Sequence, residues 1–223
     1  MRKTNYLDRI PLSLTQSFKE EVANAVTHGL GFLGSIAALT ILLVMAVKYG
    51  DTNRVVAFAV YGSSMVLLYT FSTLYHAFKN IKAKKVLRIC DHVSIYLLIA
   101  GSYTPITMLV MDAGGTVLLS VAWAFAALGI MYEIFFLGRS KTVCVSLYLT
   151  MGWIAVFAIK PIMVNMEASA IVWLLVGGLS YSLGVIFYVV RRIPFNHAIW
   201  HCFVLFGSIS HFICVYKVGF SSY

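Results

Sequence analysis

The stretch TVLLSVAWAFAALGIMYEIFFL, residues Thr116 to Leu137, holds a single ionisable side chain with a formal charge, Glu133. A helix of this length, rising about 1.5 Å per residue, crosses the roughly 30 Å of hydrocarbon in a bilayer. Six further runs of the same kind flank it, at 22–47, 55–78, 89–111, 142–160, 170–190 and 197–216. The whole chain of 223 residues is 61% hydrophobic and 11% charged, with a mean hydropathy of +0.88, more apolar surface than one water-soluble core can hide. The expected fold is therefore all-α, a bundle of seven transmembrane helices in the cell membrane. A tail of residues 1–21 precedes a single membrane domain, 22–216, and a tail of residues 217–223 follows it. Glu20 and Glu21 stand just before the first run, which argues for a retained helix and against a cleaved signal peptide. Pro105 is expected to kink or break the third helix.

The net charge of +9 does not indicate a nucleic-acid partner, because the 17 Lys and Arg residues sit in short clusters between apolar runs. Arg2, Lys3, Arg9 and Lys19 precede the first run. Lys79, Lys82, Lys84, Lys85 and Arg88 follow the second, Arg139 and Lys141 the fourth, and Arg191 and Arg192 the sixth. Only Lys48, Arg54, Lys160 and Lys217 fall on the other side. The positive-inside rule then predicts a cytoplasmic N terminus and an external C terminus. This is opposite to a G-protein-coupled receptor, and the lack of a lysine within the seventh run excludes a retinal Schiff base there. Cys90, Cys144, Cys202 and Cys214 lack C-x-x-C spacing and read as core thiols.

With that topology most of the histidines fall in one layer at the cytoplasmic side. His28 lies in the first turns of helix 1, His76 ends helix 2, Asp91 and His92 open helix 3, and His197 and His201 open helix 7. Ionisable groups inside a membrane are costly and face the bundle interior, where they serve a function. His197 and His201, four apart, project from one helical face, and His76 arrives at the same depth from another helix. Three imidazoles with an open fourth position suit a catalytic type of metal site, zinc being the expected ion. Asp91 is a further ligand, a general base, or a carboxylate turned toward Arg88 one turn away. Ser72, one turn before His76, orients a ligand, lines the cavity or packs helices. His92, rotated about 100° from Asp91, is expected to face elsewhere. His211, about 15 Å further along the helix from His201, is excluded from the layer. The segment His197-Ala198-Ile199-Trp200-His201 lacks the glutamate of H-E-x-x-H, which rules out a zincin-type protease.

Glu21-x-x-Asn24-x-x-Thr27-His28, Ser72-x-x-x-His76, Asp91 and His197-x-x-x-His201 occur here in the order seen in the hemolysin III family, related to the progestin and adipoQ receptor family. Ala100-Gly101-Ser102-Tyr103-Thr104-Pro105 also resembles the bacterial hemolysin III version of helix 3. The resemblance spans helices 1, 2, 3 and 7. It implies seven helices with a cytoplasmic N terminus, zinc held by His76, His197 and His201, and Asp91 in contact with water at the ion. In the matching motif Glu21, Asn24, Thr27 and His28 form the entrance of helix 1 and, like Ser72 one turn before His76, support the site from behind the ligands or pack against it, although Glu21 also suits the positive end of the helix dipole. Hydrolysis of membrane-lipid amides or esters, with lipid as the only partner named, follows by analogy with related members. The alternatives are a non-enzymatic receptor or regulator with structural zinc, and a cytolytic protein of the kind the family name describes. The residues do not by themselves separate enzyme from regulator.

Overall fold

The computed structural model describes residue 10 and residues 16–111, 113–136 and 140–220. Arg2, Lys3, Arg9 and Arg139 of the cation count lie outside the described residues, as does most of the expected N-terminal tail. Helices α1 (Phe18–Tyr49), α2 (Thr52–Ala77), α3 (Ile81–Val110) and α4 (Ala113–Phe136) come first. They are followed by α5 (Lys141–Trp153), a 3₁₀ segment (Ile154–Ala158), α6 (Ile159–Asn165), α7 (Ala168–Val189) and α8 (Asn196–Phe220). No strand occurs among the described residues. With α5, the 3₁₀ segment and α6 forming one continuous span, seven helices among the described residues are long and apolar enough to cross a membrane.

Several boundaries differ from the sequence reading for identifiable reasons. Ser17 caps α1 four residues early: its Oγ accepts from the Glu20 amide while the Glu20 carboxylate accepts from the Ser17 amide, a reciprocal capping box. Asn80 caps α3 in the same manner, its Oδ1 accepting from the amides of Lys82 and Ala83 at 3.0 and 3.1 Å. Lys82, Lys84, Lys85 and Arg88, read from sequence as a loop, are thus the opening turns of α3. Pro105 lies inside α3 without ending it. The break falls instead in the fifth span, at Ile154–Ala158, where the Tyr103 hydroxyl donates toward the carbonyls of Met151 and Gly152 and accepts from the Ala155 amide at 3.1 Å. A side chain from α3 therefore satisfies backbone groups that the change of helix type leaves free.

The helices pack in sequence order through α4, and α8 closes against α7, α1 and α3. Leu42, Phe58, Tyr61, Met65, Leu68, Tyr69, Leu98 and Val215 form the main buried core between α1, α2, α3 and α8. Outward-facing Leu33, Val44, Val47, Leu128, Phe157 and Leu183 are exposed, as a lipid-facing surface requires. Close helix contacts use small residues: at Gly177 an added Cβ would collide with the His211 ring. All four cysteines are free; Cys144 and Cys214 are buried, whereas Cys202 faces outward and is not a core thiol.

Candidate metal centre

Glu21, Asn24, Thr27 and His28 recur every three or four residues and so share one face of α1, turned toward α2 and α8. His76 and Ser72 meet this face from α2, and His197 and His201 meet it from the first turns of α8. His76, His197 and His201 come together: one ligand nitrogen from each lies within 4.8 Å of the other two. Their ring centroids are 5.1 Å (His76–His197), 5.2 Å (His76–His201) and 4.5 Å (His197–His201) apart. This is the one group of three or more metal-ligating side chains among the described residues.

Hydrogen bonds from α1 set which nitrogen His76 and His201 present. His76 Nδ1 is 2.7 Å from Glu21 Oε2, and the other oxygen of that carboxylate accepts from Lys84 Nζ at 2.6 Å. A carboxylate only accepts, so Nδ1 carries the proton and Nε2 of the neutral ring is the lone-pair nitrogen. His201 Nδ1 lies 3.2 Å from the Asn24 carbonyl, also a pure acceptor, which fixes the same tautomer. Thr27 Oγ1 is 3.2 Å from that nitrogen and donates to the backbone of α1. His76 Nε2 is buried and has no hydrogen-bond partner. Such an orphaned lone pair is unfavourable in an apolar interior and is relieved by a cation. The donor set, three imidazoles with Nδ1–H of two of them held by oxygen, therefore fits a first-row divalent ion.

The remaining expected residues line up around this cluster. The His28 ring stacks on His201 with centroids 3.4 Å apart, and its Nδ1 is 2.7 Å from Ser72 Oγ. Ser72 and Asp91 border the same cavity. No ion pair joins Asp91 to Arg88 among the described residues, so the carboxylate is not held by that guanidinium. Asp91, Ser72, His28, His197 and His201 all border a cavity of about 160 Å³ that runs on between α3, α5, α7 and α8 past Ile99, Leu149 and Leu174 to His211. His76 is not on its wall.

His92 corrects an expectation. It borders the same cavity as Asp91, and its Nδ1 lies 3.5 Å from Glu133 Oε2. Glu133 is fully buried and accepts from the Tyr148 hydroxyl at 3.0 Å. The sequence signal was present, one carboxylate in the otherwise uncharged run of Thr116 to Leu137, yet its partners come from α3 and α5 and no spacing rule links them.

A seven-span membrane bundle with a histidine cluster at one end of an apolar cavity defines the class of protein. The chain belongs to the haemolysin-III related family, which it matches over residues 16–212. It is 48% identical over 206 residues to hemolysin-3 of Bacillus cereus, covering 91% of this chain and 93% of that protein. It is 45% identical over 200 residues to a hemolysin-3 homolog of Bacillus subtilis (strain 168), covering 89% and 94%. A more distant similarity, 29% over 211 residues and covering 91% and 86%, is to the human monocyte to macrophage differentiation factor, a member of the progestin and adipoQ receptor family. A bacterial plasma membrane agrees with the two Bacillus relatives.

Proposed function

We propose that the protein is a metal-dependent hydrolase of the membrane interior, acting on an amide or ester of a membrane lipid. The observation that carries this reading is the cavity: it is apolar along its length and ends on Asp91, Ser72 and two of the three clustered imidazoles. Its volume of about 160 Å³ resembles the ~150 Å³ apolar cavities that take up benzene, enough for a stretch of hydrocarbon chain. His76, His197 and His201 would hold the ion, zinc by the family resemblance. When bound, such an ion polarises a carbonyl oxygen and acidifies water.

The chain's own residues supply the rest. The cavity wall seats the acyl chain and excludes bulk water, and this presents a carbonyl at the histidine end. Asp91 accepts a proton from water there, beside Ser72 on the same cavity wall, whose hydroxyl is paired with His28. Glu21, itself neutralised by Lys84, keeps His76 in the ligating tautomer. The cation distribution supports placing this end of the bundle at the cytoplasmic face. The word hemolysin in the relatives' names describes cytolysis by those proteins; a bundle with outward apolar faces on α1, α2, α4, α5, α7 and α8 suits residence in a membrane better than release from one.

The test joins metal analysis to lipid analysis. Purified wild-type protein is expected to carry one transition metal ion per chain, and His76→Ala, His197→Ala and His201→Ala to lose it, with His211→Ala as the control that keeps it. Membranes from cells with and without the active protein should then differ in one lipid class and its free acid. Full metal content in all three variants would overturn the ligand assignment, and identical lipid profiles would overturn the hydrolase.

A further inference from the structure

His92 and Tyr96 lie one turn apart on α3, Gly129 and Glu133 one turn apart on α4, and Tyr148 reaches both pairs from α5. The packing is close: the Tyr96 and Tyr148 ring centroids are 4.7 Å apart, and a Cβ added at Gly129 would collide with the Tyr96 ring. Within this contact the Glu133 carboxylate is fully buried. One of its oxygens accepts from the Tyr148 hydroxyl at 3.0 Å, and the other stands 3.5 Å from His92 Nδ1. That distance is long for a hydrogen bond, yet neither atom has another partner, so each is left to the other.

A carboxylate buried in a membrane span is costly unless a positive group pairs with it, and among the described residues only His92 stands at ion-pair distance from Glu133. As carboxylate and imidazolium the two are neutral together. Nδ1–H then belongs to Glu133, and Nε2–H is the proton left over. His92 and Tyr148 border the cavity that Asp91 borders, whereas Glu133 stands behind them. The spare proton is thus carried by a ring on the cavity wall, next in sequence to the residue that takes a proton from water. Hydrolysis of an amide or ester needs such a second group, because a lipid's amine or alkoxide leaves poorly until it is protonated.

We infer that His92 is the proton donor to the leaving group, and that Glu133 is the positioning residue that holds its ring and balances its charge. The inference rests on the hydrolase reading and adds a second catalytic residue to it. Water gives one proton to Asp91 while its oxygen bonds to the carbonyl carbon. The bond from that carbon to nitrogen or oxygen breaks with its electron pair on the departing atom, which takes the proton from His92 Nε2 and leaves as an amine or alcohol. His92 is then neutral and Asp91 protonated. Water entering the emptied cavity takes the proton from Asp91 and returns one to His92, which closes the cycle without any further reactant.

The experiment compares two esters on the full-length protein as purified in detergent. The leaving group of 4-nitrophenyl dodecanoate departs as a stable anion, whereas that of ethyl dodecanoate needs a proton. His92→Gln should slow the ethyl ester by about 10²- to 10⁴-fold and the nitrophenyl ester by less than about tenfold. Glu133→Gln still accepts from Tyr148 but removes the charge behind His92, so it should show the same dependence on leaving group with a smaller loss. Both variants should keep the metal content of the wild type, since neither residue is a ligand. Asp91→Asn, which stops the attack of water, should slow both esters alike. Equal losses on the two esters in His92→Gln are what a packing role predicts, and they would overturn the proton donor while the hydrolase stands. Turnover of neither ester by the wild type would overturn the hydrolase reading and this inference with it. The wild type alone decides the matter if a variant misfolds: along a series of dodecanoate esters of increasingly basic alcohols its rate should fall only slightly, and a steep fall would overturn proton donation.

Discussion

Glu21→Gln tests whether the polar face of α1 tunes the site or merely packs against it. In the structure the Glu21 carboxylate bridges His76 Nδ1 at 2.7 Å and Lys84 Nζ at 2.6 Å, and its side chain is only 18% exposed. The amide is nearly isosteric and its oxygen still accepts from His76, so the tautomer survives while the charge-assisted strength of the bond is lost. Partners that orient a ligating histidine in this way contribute about 10- to 100-fold in metal affinity, or roughly 1.4 to 2.8 kcal/mol. Glu21→Gln should therefore bind the ion 10- to 100-fold more weakly without losing the site, while His76→Ala abolishes it. The assay is competition against a chelator of known affinity, with the metal remaining on the protein measured at each chelator concentration. Lys84→Met is the companion variant: Glu21 keeps its full charge for His76, so the loss should be smaller than in Glu21→Gln. Unchanged affinity in Glu21→Gln, or a loss as complete as that of His76→Ala, would refute the positioning role.

Three further outcomes are expected. Asp91→Asn should retain both ion and fold while turnover of the lipid falls by about 10²- to 10⁴-fold, because the amide cannot take a proton; loss of metal in that variant would make Asp91 a ligand instead. A reporter that is active only in the cytoplasm, fused after Tyr223, should be silent, and a working C-terminal reporter would reverse the orientation. Gly177→Ala should destabilise the bundle by about 1 to 3 kcal/mol, since its methyl meets the His211 ring and Gly207 carbonyl, and an unshifted unfolding midpoint in detergent would contradict that packing.

How much of this is legible in the sequence depends on which physical constraint acts where. A bilayer forces runs such as Thr116 to Leu137 to be both long and apolar, so the seven crossings can be read without reference to any contact. The same constraint makes the site readable: a helix converts position along the chain into depth, and the positions of His76, His197 and His201 on their helices are enough to put all three in one layer. Where water is available the constraint relaxes and the reading fails. Lys82 to Arg88 look like a loop because they are charged, yet Asn80 caps them into α3, and that moves Arg88 from a flexible connector onto a rigid helix beside the cavity.

Rotation about a helix is the second place where sequence falls short. The 100° between Asp91 and His92 separates their directions on α3, but it does not say what stands in either direction. The cavity is wide enough to border both, and α4 brings the buried Glu133 to His92. Depth follows from one helix alone, whereas azimuth has meaning only relative to neighbours. For that reason spacing suffices to find the three histidines, while the Glu133–His92–Tyr148 group, assembled from three separate elements, needs the packed bundle.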